Sequence, residues 1–328
     1  MHPGKSRIEA LDWLRAFAVV SVLIQHAVWK SHILTTFSGP LVAANTVHAV
    51  VRLGLPMFFI ISGYLLIKPY PTARSILDFY KKRAARILPS ALAWSYIFFV
   101  IQQKSLDPLL FLQTAAKGPT AYHLWFLYTI IGLYIITPFV SNILTAAKSE
   151  HVIAFVVASF ALYSLNPLLA FLGINGALFG VFQFSFAMYF LAGHALRRMV
   201  QENRPTRCPL PLLLGAMIAA TFVLSFFRAN GFAPYDQSIT MLAACGALFL
   251  LVMRRNPPTT PTVRFLSAKS FGIYFSHPIF IWIFDKYAGA LNPYLDMVLC
   301  AAFTLACAAG LELALDLARR AVRQAWRR

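Results

Sequence analysis

The chain has 328 residues, of which 59% are hydrophobic and only 12% charged, with a formal net charge of +18. Soluble domains carry about 25% charged residues, so this composition excludes an ordinary soluble enzyme and implies one membrane domain over residues 1–328 with no fused soluble module. A nucleic-acid partner is set aside as well, because the basic residues follow the sidedness of the apolar segments rather than forming one binding patch.

Apolar runs recur from end to end, each near the ~20 residues that cross hydrocarbon as a helix. They predict an all-α integral membrane fold of about ten transmembrane helices, near residues 12–30, 46–67, 84–103, 122–142, 151–172, 177–198, 210–228, 237–254, 267–286 and 293–318. Clusters such as Lys68 to Thr72, Asn203 to Pro211 and Asn256 to Pro261 read as connecting loops. The N-terminus has a basic lead and an apolar run but no small-residue cleavage site, so it reads as a retained first helix. With both termini in the cytosol, only Lys30, Lys104, Lys117, Arg228 and Lys286 of the 29 Lys and Arg fall on the opposite face, and Arg52 lies inside the second span. That asymmetry is the positive-inside pattern and supports ten spans with both termini inside, its excess charge attracting anionic lipid; a bacterial inner membrane is the expected location. Cys208, Cys245, Cys300 and Cys307 show no CxxC spacing and read as free thiols.

An ionisable side chain inside a span costs roughly 2.5–3.5 kcal/mol on insertion scales and by default serves a function. The first helix holds Asp12, Arg15 and His26. At 100° per residue, Arg15 and His26 differ by about 20° and Asp12 and His26 by about 40°, so all three share one face. His26 lies roughly 16 Å beyond Arg15, past the bilayer middle when Arg15 is at the cytosolic interface. Singly, Arg15 reads as a snorkelling residue, Asp12 as a helix-start charge and His26 as a packing residue; their alignment argues for a site. The ninth helix carries His277 at a compatible depth, with Tyr274 on the same face, and Pro278 frees a backbone carbonyl there.

Arg83 and Arg86 sit at the expected cytosolic start of the third helix, an arrangement suited to phosphate; the bland reading, a positive-inside cluster, is preferred for Lys81 and Lys82. On the outer side Arg52, His123 and Trp125 are candidate walls of a sugar-binding pocket, although aromatic belts also place Trp at this level. Glu312 and Asp316 read as structural ion-pair partners. No HExxH motif, P-loop or clustered Cys/His set is present, so neither a metal nor a permanently bound cofactor is expected.

These segments resemble the acyltransferase-3 family of ten-span membrane acyltransferases. The resemblance rests on Leu11-Asp12-x-Leu14-Arg15, the Arg15-x10-His26 spacing, PMFFIISGYLL from Pro56 to Leu66, Arg83-x-x-Arg86 before Leu88-Pro89, HLWFL from His123 to Leu127, and SFGIYFSHP from Ser270 to Pro278. Ala16 replaces the Gly that follows the Arg in many members. Among subgroups, YHLWFLYTIIGLYIITP and the compact length are most similar to the O-acetyltransferases of enterobacterial common antigen.

The resemblance implies a cytosolic acyl-CoA donor, acetyl-CoA in the first instance, and an acceptor hydroxyl on an envelope glycan or its lipid-linked precursor. Arg83, Arg86 and Arg15 would then neutralise donor phosphates. His26 would be a general base or the carrier of an acyl-histidine intermediate, Asp12 would orient groups or pair with Arg15, and Tyr274 or His277 would stabilise an oxyanion. The rival reading is a transporter, flippase or export subunit for a lipid-linked glycan using the same polar residues; the lack of an internal repeat weakens it.

Overall fold

A computed structural model describes residues 7–30, 39–171, 185–225, 238–289 and 291–326, and every long element among them is an α-helix. Of the expected spans, residues 172, 177–184, 226–228 and 237 lie outside the described residues, as do the basic residues Lys5, Arg228, Arg327 and Arg328. The chain divides into two compact units, Met1–Tyr64 with Ile153–Arg328, and Leu65–Val152.

The larger unit is built around α1 (Glu9–Lys30). It also contains α2 (Gly39–Val51) and nearly all of α3 (Gly54–Leu66), followed after the smaller unit by most of α7 (Ser149–Phe171). The helices α8 (Ser185–Gln201), α9 (Leu210–Leu224), α10 (Ile239–Arg255), α11 (Pro261–Tyr287) and α12 (Pro293–Ala325) complete it. Helix α1 packs chiefly on α11, and also on α12, α2 and α10. Val19 and Leu23 of α1 meet Ile273 of α11 and Ala308 of α12; one turn on, Ala27 meets Ile281 and Cys300. A helix ringed by neighbours can bury a polar face, which is what the first helix requires.

The second expected span is not one helix. It breaks at Arg52–Leu53 into α2 and α3, so Arg52 occupies a two-residue turn and not a helix interior. Pro56 explains the break: it lacks the N–H that would bond the Arg52 carbonyl four residues earlier, and its ring crowds that carbonyl. Close helix crossings use glycine. A Cβ built on Gly63 of α3 would lie 1.7 Å from the Phe190 carbonyl oxygen of α8, and one on Gly193 of α8 would lie 2.1 Å from the Ile60 carbonyl oxygen.

The smaller unit holds α4 (Ala73–Gln103), α5 (Pro108–Lys117), a 3-10 turn at Tyr122–Leu124 and α6 (Trp125–Ala146). Helix α4 begins eleven residues before its expected start near 84. A capping box closes its N-terminus, with Ser75 N–H donating to Thr72 Oγ1 and Thr72 N–H to Ser75 Oγ, both at 3.2 Å. The apolar run marked where hydrocarbon begins, whereas the backbone ladder continues through the polar lead FYKKRAAR. The Tyr80 hydroxyl donates to the Ile135 carbonyl at 2.6 Å, and Tyr70 N–H to Asn142 Oδ1 at 3.0 Å, which tie the start of α4 to the end of α6. Helix α5 lies between the third and fourth expected spans. It forms because Asp107 caps Leu109 N–H at 2.8 Å, Pro108 starts the helix, and Phe111 is buried edge-on to Tyr96.

Among the described residues, five segments are long and apolar enough to cross a membrane: Glu9–Val28, Val42–Leu66, Ala73–Gln103, Tyr122–Ala146 and Pro293–Ala325. Ser149–Leu162 and Leu210–Leu224 are shorter apolar helices. Helix α11 has 27 residues, enough length to span, but Ser267, Ser270, Tyr274 and His277 lower its hydropathy. Those four residues form half of the candidate site.

Candidate active site

Helices α1 and α11 lie side by side with polar residues along the shared seam. On α1 the seam runs from Asp12 through Arg15 to His26; on α11 it runs from Ser267 through Ser270 and Tyr274 to His277. Asp12 meets Ser267 and His26 meets His277, so the two helices run in the same direction.

At the start of the seam, buried Asp12 accepts from the Ser267 hydroxyl at 2.6 Å and from Arg7, while Arg15 lies 3.7 Å away. The Asp12 carboxylate beside it holds the exposed Arg7 guanidinium above its ordinary pKa, chiefly through their hydrogen bond. Asp12 therefore does pair with Arg15, but only as the longest of these contacts; its bond to Ser267 joins α1 to α11. Neighbouring contacts fix the same end. Asn256, in the left-handed conformation at the end of α10, accepts from Ala10 N–H at 3.2 Å, and Trp13 Nε1 donates to the Pro258 carbonyl at 3.2 Å. Glu9 pairs with Arg264 at 3.2 Å and accepts from Thr259.

At the far end, the Nδ1 of His26 and the Nε2 of His277 are 2.6 Å apart, with 4.9 Å between the ring centroids and 23° between the ring planes, so the rings meet edge to edge. His277 is fully buried, and its Nδ1 lies 2.5 Å from the backbone oxygen of Tyr274. That oxygen is the one Pro278 frees, since an N–H at residue 278 would otherwise bond it in the helix ladder. The Tyr274 ring is 5.7 Å from the His277 ring. His26 itself is only partly buried. Arg52 is near enough for its charge to act on His26, brought there by the Pro56 break. Arg52, expected as part of an outer sugar pocket, therefore also has its charge near His26.

On the other side of unit 1, Lys269 of α11 pairs with Asp316 and, at 3.9 Å, with Glu312 of α12. The Glu312 carboxylate fills the space a Gly272 side chain would take, 1.8 Å from the position of its Cβ. These two acids are the structural partners anticipated from their spacing.

In the smaller unit, Arg83 and Arg86 lie well inside α4, about three and four turns from its start at Ala73, so the helix-N-terminus argument for phosphate does not hold. A different feature takes its place. Arg83 is partly buried, and its Nε is enclosed without a hydrogen-bond partner, whereas Arg86, Lys81 and Lys82 are exposed. A buried, unsatisfied donor costs about 1–3 kcal/mol, a deficit that an anionic ligand oxygen removes. The charge of Arg83 also reaches Tyr70, whose phenol burial pushes up to about 12, so it stays a neutral donor to the Leu66 carbonyl at 2.8 Å. His123 is buried in the 3-10 turn, its ring 4.8 Å from Phe98 and 5.4 Å from Tyr122. Trp125 begins α6 and is partly exposed.

The profile of the acyltransferase-3 family, described as an acyltransferase domain, matches residues 8–313. The chain belongs to the acyltransferase-3 family. No curated protein and no solved structure matches it. As a membrane acyltransferase it needs a group able to accept a proton or an acyl group away from bulk water, and the seam ends in an imidazole pair. Ser267 and Asn256, which help fix the start of the seam, were not singled out in the sequence. Ser267 was legible as the first position of a three–four spacing, Ser267-Ser270-Tyr274-His277. Asn256 carried only a loop signal, because its role depends on where α10 ends beside α1.

Proposed function

We propose that the chain is an O-acyltransferase that moves an acetyl or short acyl group from cytosolic acyl-CoA to a hydroxyl of an envelope glycan or its lipid-linked precursor. The observation that carries this reading is the His26–His277 contact, set deep in a chain of the membrane acyltransferase family. Ten spans with both termini cytosolic, in a bacterial inner membrane, fit the basic-residue asymmetry. The similarity of YHLWFLYTIIGLYIITP to enzymes of enterobacterial common antigen favours acetyl as the group and an amino-sugar glycan as acceptor.

In this reading His26 acts as general base. It takes the proton of the acceptor hydroxyl as that oxygen attacks the thioester carbonyl carbon; the tetrahedral oxyanion collapses, the C–S bond breaks, and imidazolium returns the proton to the departing thiolate. In the competing route an imidazole nitrogen attacks the thioester, releasing the thiol and forming an acyl-histidine that the acceptor hydroxyl then opens. The Tyr274 hydroxyl is the proposed oxyanion donor. Arg83 is the foremost candidate for a donor phosphate because its enclosed Nε lacks a partner, with Arg86 beside it. Arg15, held by Asp12, adds positive charge at the start of the seam. Arg52 supplies a cation near His26, where an anionic or hydroxyl-rich acceptor would be held; Trp125 and His123 remain proposed acceptor contacts of the smaller unit.

The test is mass spectrometry of envelope glycans from cells with and without the chain. An acyl substituent lost with the chain and restored by its expression is expected. Unchanged glycan acylation together with a block in lipid-linked glycan movement favours the transporter instead.

A further inference from the structure

We infer that His277 is a positioning residue whose tautomer, set by the backbone of its own helix, determines which nitrogen of His26 is basic. The inference rests on the acyl-transfer reading of His26 and adds a device to it. Its starting point is Pro278, which leaves the Tyr274 carbonyl without its helical donor. A buried carbonyl needs a partner, and His277 Nδ1 supplies one at 2.5 Å. A carbonyl oxygen only accepts, so Nδ1 of His277 carries the proton. With His277 neutral, its Nε2 then holds the lone pair.

That lone pair faces Nδ1 of His26 at 2.6 Å, so Nδ1 of His26 carries the proton and donates. With both rings neutral, Nε2 of His26 is left as the nitrogen that accepts a proton or bonds an acyl group. The chain of consequence runs from a proline, through one carbonyl and two rings, to the reacting atom. When His26 gains a proton at Nε2, its Nδ1–H still points at His277 Nε2, and the second ring shares the charge through a charge-assisted hydrogen bond. A base held in one tautomer and orientation by a partner is the logic of nucleophile–base–orienter triads, here with a second imidazole and a proline-freed carbonyl as orienter. The same bonds remove His277 from the role of oxyanion donor, since its one proton is committed to Tyr274.

The test uses the full chain in native membranes, with radiolabelled acetyl-CoA as probe and the endogenous envelope glycans as acceptor. The readouts are the saturating rate and KM for acetyl-CoA. His277→Ala should lower the saturating rate at least about tenfold with KM little changed. His277→Gln, whose side-chain oxygen reaches the place of Nε2 and accepts from His26, should recover much of that loss. Pro278→Ala restores an N–H that competes for the Tyr274 carbonyl; it should slow the saturating rate while the melting temperature stays equal or rises.

A wild-type rate in Pro278→Ala, with His277→Gln no better than His277→Ala, overturns the inference. Should His277→Ala fail to accumulate, the glutamine variant against wild type and Pro278→Ala decide by the same readouts. If His26→Ala itself keeps the wild-type rate, the acyl-transfer reading of His26 has failed; if only His26→Ala is inactive and the others are unaffected, the positioning role alone has failed.

Discussion

His26 and His277 come from residues 251 positions apart, yet their ring nitrogens meet at 2.6 Å at the end of a polar seam that starts with Asp12 and Ser267. The seam costs hydropathy along both helices, and its members are tied to one another rather than to lipid. Such an arrangement is retained where the polar groups are used.

The Asp12–Ser267 bond sets the register in which the two histidines meet. Ser267→Ala removes a hydrogen bond to a buried carboxylate and should destabilise the protein by about 1.5–3 kcal/mol. A lowered melting temperature in detergent checks this, and Ser267→Thr should recover most of the loss. An unchanged melting temperature in Ser267→Ala would contradict it.

Gly63 permits a close crossing of α3 over α8. In Gly63→Ala the new methyl meets the Phe190 carbonyl, and backbone cannot swing aside as a side chain can. We expect a loss of about 1–3 kcal/mol or more, read as reduced folded yield and a lower melting temperature. Gly132→Ala, where a Cβ meets nothing within 4 Å, is the matched control and should be neutral.

Arg83→Gln removes the partly enclosed cation proposed to hold a donor phosphate. The expected result is a roughly tenfold rise in KM for acetyl-CoA, equivalent to about 1.4 kcal/mol, with the saturating rate nearly unchanged. Lys81→Gln, on the exposed side of the same helix, should leave KM as it is. Equal effects of the two substitutions would reduce Arg83 to a member of a general basic cluster.

Topology is testable separately. Reporter domains fused after Arg328 and inserted between Gln103 and Pro108 should fall on opposite sides of the membrane, cytosolic at the C-terminus and outer at the loop. The same side for both would break the ten-span assignment.

Much of the helical framework was legible in the sequence because apolar runs of bilayer length announce themselves. The α1 stripe was legible from 100° periodicity alone, and Pro278 from the absence of an N–H. What stayed hidden depended on single backbone groups or distant neighbours. The break at Arg52–Leu53 follows from Pro56, four residues after Arg52, inside a run long and apolar enough to read as one span. The early start of α4 was masked because a helix continues through polar sequence once capped by Thr72 and Ser75. Asn256 and Ser267 act through contacts with α1 across more than 240 residues of chain, which no local pattern encodes. His123 reads as a polar residue beside a tryptophan, and its burial against Phe98 and Tyr122 has no local sequence signal.

The central claim is that His26 carries the acyl-transfer chemistry. Its most direct measurement is transfer of label from radiolabelled acetyl-CoA to envelope glycans by membranes holding equal amounts of wild type and His26→Ala. Loss of at least about a hundredfold, the low end for removing a general acid–base group, is the predicted result. Transfer at the wild-type rate in His26→Ala would contradict it.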